Sequence, residues 1–563
     1  MGIEGQTLVA LLWLAMLWYA APLLSQTRGL TIPSRLRYTL VLLTAMPLLL
    51  AALHLLAIWP LLIVAAAACA LRFRFARGSR LEYNPWDGLA IAIVFLTASA
   101  YIPRAPTDGD SLAYHLPNAI AWVQAGSLDP TWMRYWWYPG GSEISIAGLI
   151  ASGGLWITGV SSLLAAMMLT SRINMWLRSL DVPAATATAM SAAFITITTA
   201  AFQTYDQRND LVLAAWFIES LWMLRNASWS GALPVAILAL IKPYGWVYAL
   251  LAVVCTRQPR ALVGFVPLAL WIAHDALLAP RALVSIASTN ALGTWSTTIA
   301  GNLPASLTVL AKSIAERGPT ALCCFVAPVF ALFARGKERS IAIAGTCALG
   351  LFLLTPFGYA NDMPQLALGW SLRYDLASLA LGMLCLAPLG RRFPTSIAVL
   401  ATCSALAGIA RLLYILNHDT TILIAFLCSV VVSLAAIAAF FTPFRRVAAI
   451  AAAAPALALM LYGSNVAAAH VAGFYAVSTN GTGFFRWFES HAHDAESVNL
   501  RAGELLMLAP SARVYDADAV SCSRAAAESA IIILAKGARS APVAKGCGEV
   551  LFEDADFVAV LPR

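Results

Sequence analysis

Charge is what this sequence has least of. Asp, Glu, Lys and Arg make up 11% of its 563 residues, against 60% hydrophobic, where a soluble domain carries about a quarter charged. So thin a supply excludes a soluble enzyme of ordinary composition, and a mean hydropathy of +0.76 agrees. The apolar residues fall in many separate runs, each long enough to span a bilayer. Metal-ligand spacing is also missing: the ten cysteines and the histidines form no set with the order of a zinc site. Cys323-Cys324 lie inside an apolar run, as small buried residues do. Cys522 and Cys547 lie in a polar tail and can pair if that tail is extracytoplasmic. No clear cleavage site follows the first apolar run, residues 8–24, so it reads as a retained helix and not a signal peptide. Gly481-Thr482-Gly483 is too short a pattern for a nucleotide loop. The formal charge of +8 does not mark a nucleic-acid binder, because the arginines fall in short clusters between apolar runs, where they act as topology signals.

Those clusters order the chain. Arg35 and Arg37 precede the apolar run 38–71, and Arg72, Arg74, Arg77 and Arg80 follow it. Basic residues at both ends predict a helical hairpin broken near Pro60, with both ends cytoplasmic. The run 86–104 then exits to a polar loop, and 144–170 returns to Arg172 and Arg178. Residues 231–255 carry basic flanks at both ends and Lys242-Pro243 in the middle, which predicts a second hairpin broken at the proline. Repeating this alternation predicts an all-α polytopic membrane protein of about 13–16 transmembrane helices. Three units follow: an N-terminal transmembrane element (1–85), a transmembrane core with periplasmic loops (86–465), and a small extracytoplasmic α/β domain (466–563). In the tail, strands are expected at 530–534, 556–561 and 512–515, and an amphipathic helix at 497–509.

The charges that break the apolar pattern are the functional candidates. Asp108 and Asp110 stand where the chain leaves hydrocarbon, ahead of Tyr114, His115 and an aromatic belt of Trp122, Trp132, Tyr135, Trp136, Trp137 and Tyr138, with Glu143 after it. A carboxylate near lipid and beside a like charge is expected to have a raised pKa, suited to a general base; a solvated Asp-Gly-Asp turn is the plain alternative. Asp206 and Asp210 lie in a second outer loop, and Asp210 also suits a helix N-terminus. Arg373 lies at the outer edge, against the positive-inside tendency, as a fork for phosphate or the partner of Asp375 or Asp362. Lys242 either binds phosphate or snorkels. His115 either binds phosphate or caps the aromatic cluster, and His274-Asp275 is a further candidate for the cleft. Tyr205 reads as an interface anchor.

In order and sidedness these stretches resemble the polytopic GT-C type glycosyltransferases, in the branch of the bacterial aminoarabinose transferases and protein O-mannosyltransferases. Asp110 matches the aspartate of the first outer loop, Tyr114 the aromatic after it, Asn209-Asp210 a helix-opening pair, Lys242 a cation in a following short helix, and Arg373-Tyr374 a late outer pair. Ser111 stands where many members have Glu. The resemblance covers about residues 86–465. It implies an inverting transferase of the bacterial inner membrane that moves a sugar from a polyprenyl-phosphate donor to a lipid, glycan or protein acceptor at the periplasmic face. Together with the reading of the residues above, the candidates are Asp110 or Asp108 as base; donor phosphate contacts from Arg373, Lys242, His115, Tyr114 and Tyr374; and a cleft reaching Asp206, Asp210, Glu143, His274, Asp275 and Asp362. The resemblance leaves a divalent metal open and expects membrane lipid as a partner, no nucleic acid, and a monomer. Two other classes answer to the same composition: a ligase or polymerase of diphosphate-linked glycans, and a lipid or solute transporter, which should carry inverted repeats.

Overall fold

In the computed structural model the described residues are 2–25, 29–75, 80–82, 84–103, 110–129, 138–226, 230–279, 300, 319–354, 372–416, 423–424, 427–428, 430–431, 456–469, 487, 495–498, 514–517, 531–535, 546–553 and 557–562. Asp108, Asp362, Cys522 and the belt residues Trp132, Tyr135, Trp136 and Trp137 lie outside them. The helices run α1 (Ile3–Ala20), α2 (Ile32–Ala52), α3 (Ile58–Phe75), α4 (Pro85–Ser99), α5 (Leu116–Ala125), α6 (Gly141–Ala151), α7 (Val160–Ser179), α8 (Ala184–Ile195), α9 (Thr198–Ala201), α10 (Asp210–Asn226), α11 (Ala232–Ile241), α12 (Pro243–Thr256) and α13 (Val266–Leu278). After them come α14 (Val326–Phe333), α15 (Gly336–Leu354), α16 (Leu376–Cys385), α17 (Ala387–Arg392), α18 (Pro394–Leu416) and α19 (Ala456–Ala469).

Six described helices are long and apolar enough to cross a membrane, and a bent pair at 184–205 makes up to seven. Six shorter apolar helices of 10–17 residues accompany them. The chain is thus largely helical and multi-spanning. Hydropathy and burial run in opposite senses. The span ending in α7 has the lowest hydropathy, 1.2, and is 83% buried; the span in α18 reaches 1.8 and is 11% buried. Lipid is as apolar as Leu, so the greasiest helices face it, while Ser, Thr, Asn and Arg of α7 need protein partners. Helix α7 packs on α2, α4, α8 and α10, and α10 on α7, α11, α12 and α16.

The bundle has two unlike ends. At one, Arg37 of α2 and Arg172 of α7 pair with Glu219 of α10 at 2.7 and 2.6 Å, Arg178 pairs with Asp87, and Arg391 donates to Leu180 O and to Glu338. A parallel strand pair, β1 (Gly29–Thr31) with β2 (Arg80–Glu82), lies beside the start of α2. The other end carries Asp110 and Asp210. Helix α10 runs from one toward the other: Asp210 opens it and Glu219 lies at its middle, which at 1.5 Å per residue puts roughly 13 Å between the two carboxylates along the axis.

Two sequence expectations change here. The first hairpin breaks at residues 53–57 and not at Pro60, which sits in the first turn of α3, where proline is tolerated. The run 144–170 is not one returning span. Helix α6 begins with Glu143 bonded to His115, and a Cβ on Gly153, just past its end, would meet Gln6 in the first turn of α1. Both ends of α6 thus lie at the Asp110 end, and only α7 crosses. Helix α5 stays there too, its Gly126 O accepting from Leu56 N in the 53–57 turn at 3.0 Å.

In the tail, β3 (Ala495–Val498), β4 (Val514–Ala517), β5 (Ile531–Ala535), β6 (Gly548–Glu553) and β7 (Phe557–Pro562) form a sheet of order β4-β3-β5-β7-β6. Strands β4, β3 and β5 are parallel, while β7 runs antiparallel to β5 and β6. The three expected strands are present to within two residues. The helix expected from 497 is preceded by β3, which takes 497–498; its remainder lies outside the described residues. Cys547, just before β6, is disulfide-bonded.

Candidate active site

Each element that supplies the site is cut short for a local reason. Pro243 cannot donate a helical hydrogen bond and restricts the residue before it to extended backbone. Lys242 accordingly sits at φ −168°, ψ 172° between α11 and α12. Asn209 donates to Ile241 O at 3.4 Å, which ties the end of α11 to the start of α10. A Cβ on Gly141 would stand 2.9–3.1 Å from Leu240, so the missing side chain lets α6 dock beside Lys242. Asp110 opens a turn of π-helix, Ser111–His115, that leads into α5. A short 3-10 turn, Leu372–Asp375, brings in Arg373 and Tyr374.

Four charges from four separate stretches form one alternating chain: Lys242, Asp210, Arg373, Asp110. Lys242 Nζ bonds Asp210 Oδ1, Arg373 Nε lies 3.7 Å from Asp210 Oδ2, and Arg373 Nη2 bonds Asp110 Oδ2. The Tyr374 ring lies beneath both cations, 5.3 Å from Lys242 Nζ and 4.7 Å from the Arg373 guanidinium. Its hydroxyl accepts from Arg373 Nη2 at 2.6 Å. Beside the chain, His115 Nδ1 and Glu143 Oε1 are 2.5 Å apart and buried, and the Tyr114 and His115 rings are 4.1 Å apart. Glu143 Oε2 is buried without a hydrogen-bond partner.

The electrostatics correct the expected state of Asp110. Burial does push its carboxyl up, but Arg373 first, then His115 and Arg208, outweigh burial, and the net shift is below the ordinary carboxylate range. Among the described residues its ion-pair partner is the Arg373 guanidinium. Burial likewise works against the charge of Arg373, yet Asp210, Tyr374 and Asp110 hold it above its ordinary value. Asp375 is not paired with Arg373 among the described residues: it is buried near Ser378 and Cys324, and burial pushes its carboxyl well above the usual range.

The remaining candidates divide. Asp206 pairs with Arg208 at 2.6 Å, and Arg208 is near enough to act on Asp110. His274 and Asp275 pair with each other at 3.2 Å; no ion pair or hydrogen bond among the described residues joins them to the four-charge chain. Tyr205 is buried, not interfacial, with its hydroxyl 3.7 Å from Met460 Sδ. Among the described residues no group of three or more His, Cys, Asp and Glu is set to hold a metal ion. The Arg37–Glu219–Arg172 triad at the far end was not anticipated. Its signal was in the sequence, since Glu219 is a lone acid in the apolar run after Asp210.

The sequence matches no protein-family model and no curated protein. Among solved structures, it aligns with ArnT from Cupriavidus metallidurans in the apo state, at 15% identity and a TM-score of 0.46, over 84% of this chain and 96% of that one. It also aligns with ArnT from the same organism bound to undecaprenyl phosphate, at 14% identity and a TM-score of 0.43, over 84% and 97%.

Proposed function

We propose that the chain is a membrane glycosyltransferase that takes a sugar from a polyprenyl-phosphate donor, with inversion, at the Asp110 end of the bundle. One observation carries this: the two cations suited to a phosphate, Arg373 and Lys242, lie side by side over Tyr374, each held by a carboxylate. The four charges sum to zero, so the cations stay satisfied without a ligand. A phosphate offers the Arg373 fork a pair of acceptor oxygens, as a carboxylate does. On entry it takes Arg373 from Asp110 and Lys242 from Asp210.

That exchange explains how a carboxylate with a depressed pKa serves as a base. While Arg373 holds it, Asp110 is a poor proton acceptor. Once the donor phosphate has taken the guanidinium, the largest charge that lowers the Asp110 pKa is engaged elsewhere, burial is opposed only by His115 and Arg208, and the pKa rises toward that of a useful base. The acceptor hydroxyl or amine then gives its proton to Asp110 as its heteroatom attacks the anomeric carbon. The bond from that carbon to the phosphate oxygen breaks on the opposite face. The phosphate leaves with the electron pair, its charge held by Arg373 and Lys242. His115, fixed by Glu143, and Tyr114 line the side of Asp110. The periplasmic face, the inner membrane and the monomeric state belong to the same proposal.

Binding of a short-chain isoprenyl phosphate to the full chain in detergent tests this reading. Arg373→Ala removes charge-assisted hydrogen bonds and should weaken binding about 10- to 100-fold, with Arg373→Lys between the two. Asp110→Asn removes the competitor for Arg373 and should tighten binding, while transfer falls by about 100- to 10,000-fold. Unchanged binding by folded Arg373→Ala would overturn the phosphate assignment. Weaker binding by Asp110→Asn would overturn the exchange alone.

A further inference from the structure

At the end of the bundle opposite the four-charge chain, two arginines without a carboxylate partner among the described residues stack on neighbouring aromatic rings. Arg37, Arg172, Arg178 and Arg391 each have a carboxylate partner. Arg35 and Arg72 have none among the described residues. They are nonetheless held in place. Arg35 donates from Nε and Nη2 to Trp18 O at 3.1 and 2.9 Å, and its guanidinium lies 4.7 Å over the Trp18 ring. Arg72 lies 3.9 Å over the ring of the next residue, Tyr19, and its Nε is buried with no hydrogen-bond partner. The two guanidiniums thus stack on the rings of adjacent residues. Two like charges stacked on adjacent rings, with a buried donor of Arg72 to spare, suit an anion.

The surroundings say which anion. Helix α2 opens one turn before Arg35, so its first N–H groups add positive partial charge. Trp18 and Tyr19 form the kind of aromatic rim that marks a bilayer edge. Along the helices below, Leu12 of α1 and Ile63 and Leu71 of α3 are 58%, 65% and 50% exposed, an apolar flank on which acyl chains can lie. Basic pockets between spanning helices on the positive side take anionic lipid headgroups. We infer that Arg35 and Arg72, stacked on Trp18 and Tyr19, form a binding site for the phosphate headgroup of an anionic phospholipid in the leaflet opposite the candidate active site.

Native mass spectrometry of the full chain in detergent tests this without any assay of transfer, with phosphatidylglycerol and phosphatidylcholine as competing probes. The wild type should retain phosphatidylglycerol in preference. A basic side chain near an anionic lipid surface contributes on the order of fivefold, so R72Q should lose about fivefold of that preference and R35Q/R72Q about 25-fold. R72Q guards against misfolding of the double variant, because Arg72 makes no hydrogen bond among the described residues. R257Q/R260Q removes two arginines elsewhere and should keep the preference. Retention unchanged in R72Q and R35Q/R72Q, or lost equally in R257Q/R260Q, overturns the site. Displacement of the lipid by an equal concentration of inorganic phosphate would show a free-phosphate site and overturn the lipid assignment.

Discussion

Arg373 belongs to two carboxylates in the free protein, and that sets the pH dependence of the site. The depressed pKa of Asp110 means that the ion pair's contribution is fully present above the ordinary carboxylate value of about 3.9 and is lost only as pH falls through a still lower one. The acid limb of kcat/KM reports groups of the free enzyme, and that of kcat reports the complex. If the donor phosphate strips Arg373 from Asp110, the acid limb of kcat should lie at higher pH than any limb that Asp110 gives kcat/KM. Paired pH–rate profiles measure this, and coincident limbs would mean that Asp110 keeps its partner through turnover. Asp110, Asp210, Lys242 and Arg373 were all legible in the sequence, because a charge among apolar residues stands out. Their pairing was not. Residues 110 and 373 meet only through the tertiary fold, so the sequence offered Arg373 its near neighbour Asp375, which the structure buries beside Ser378 and Cys324 instead. Asp108, the rival base, lies outside the described residues.

Helix α10 carries Asp210 in its first turn and Glu219 in its middle, and the second carboxylate ties three helices. Glu219 is fully buried between Arg37 and Arg172, and the Trp222 ring lies 5.0 Å from the Arg172 guanidinium. Glu219→Gln leaves two buried guanidiniums with no counter-charge, and removing one partner of such a group costs about 3–5 kcal/mol. Its heat-denaturation midpoint should fall well below that of Glu338→Gln, which breaks the half-exposed pair with Arg391 at a cost of about 0–1 kcal/mol. Equal shifts would show that the triad does not hold α2, α7 and α10 together. The α11–α12 hairpin rests on a close approach of backbone. A Cβ on Gly245 would stand 2.2 Å from Leu238 O, so Gly245→Ala must part the two helices and move Lys242 between them. It should weaken binding of the isoprenyl phosphate; binding as in the wild type would mean that Lys242 does not need the hairpin. The break at Lys242 was legible because proline dictates it locally. The fate of residues 144–170 was not, because an apolar helix lying along the end of a bundle has the same composition as one that crosses it.

At the scale of the molecule, the basic clusters and the candidate site lie at opposite ends, in keeping with the alternation that the arginine pattern predicts. The disulfide at Cys547 fits a tail in an oxidising compartment, on the side proposed for the site. The tail strands were legible from short β-branched runs, but their mixed order was not, because sheet order is set by long connections. Sidedness can be tested with single cysteines and a membrane-impermeant maleimide on intact cells, after the exposed native thiols Cys347, Cys403 and Cys428 are replaced by alanine. Gln124→Cys reports the end of α5, Leu155→Cys the turn between α6 and α7, and Asp181→Cys the turn after α7. A helix that crosses places its ends in different compartments, and α6, 11 residues long, spans only about 16 Å at 1.5 Å per residue, against a hydrocarbon core of about 30 Å. Gln124→Cys and Leu155→Cys should therefore label from outside, and Asp181→Cys only after permeabilisation. Labelling of Leu155→Cys only after permeabilisation, with Asp181→Cys labelled from outside, would make α6 a crossing. It would also invert every helix after α6 relative to α1–α5, and so part Arg373 from the compartment of Asp110.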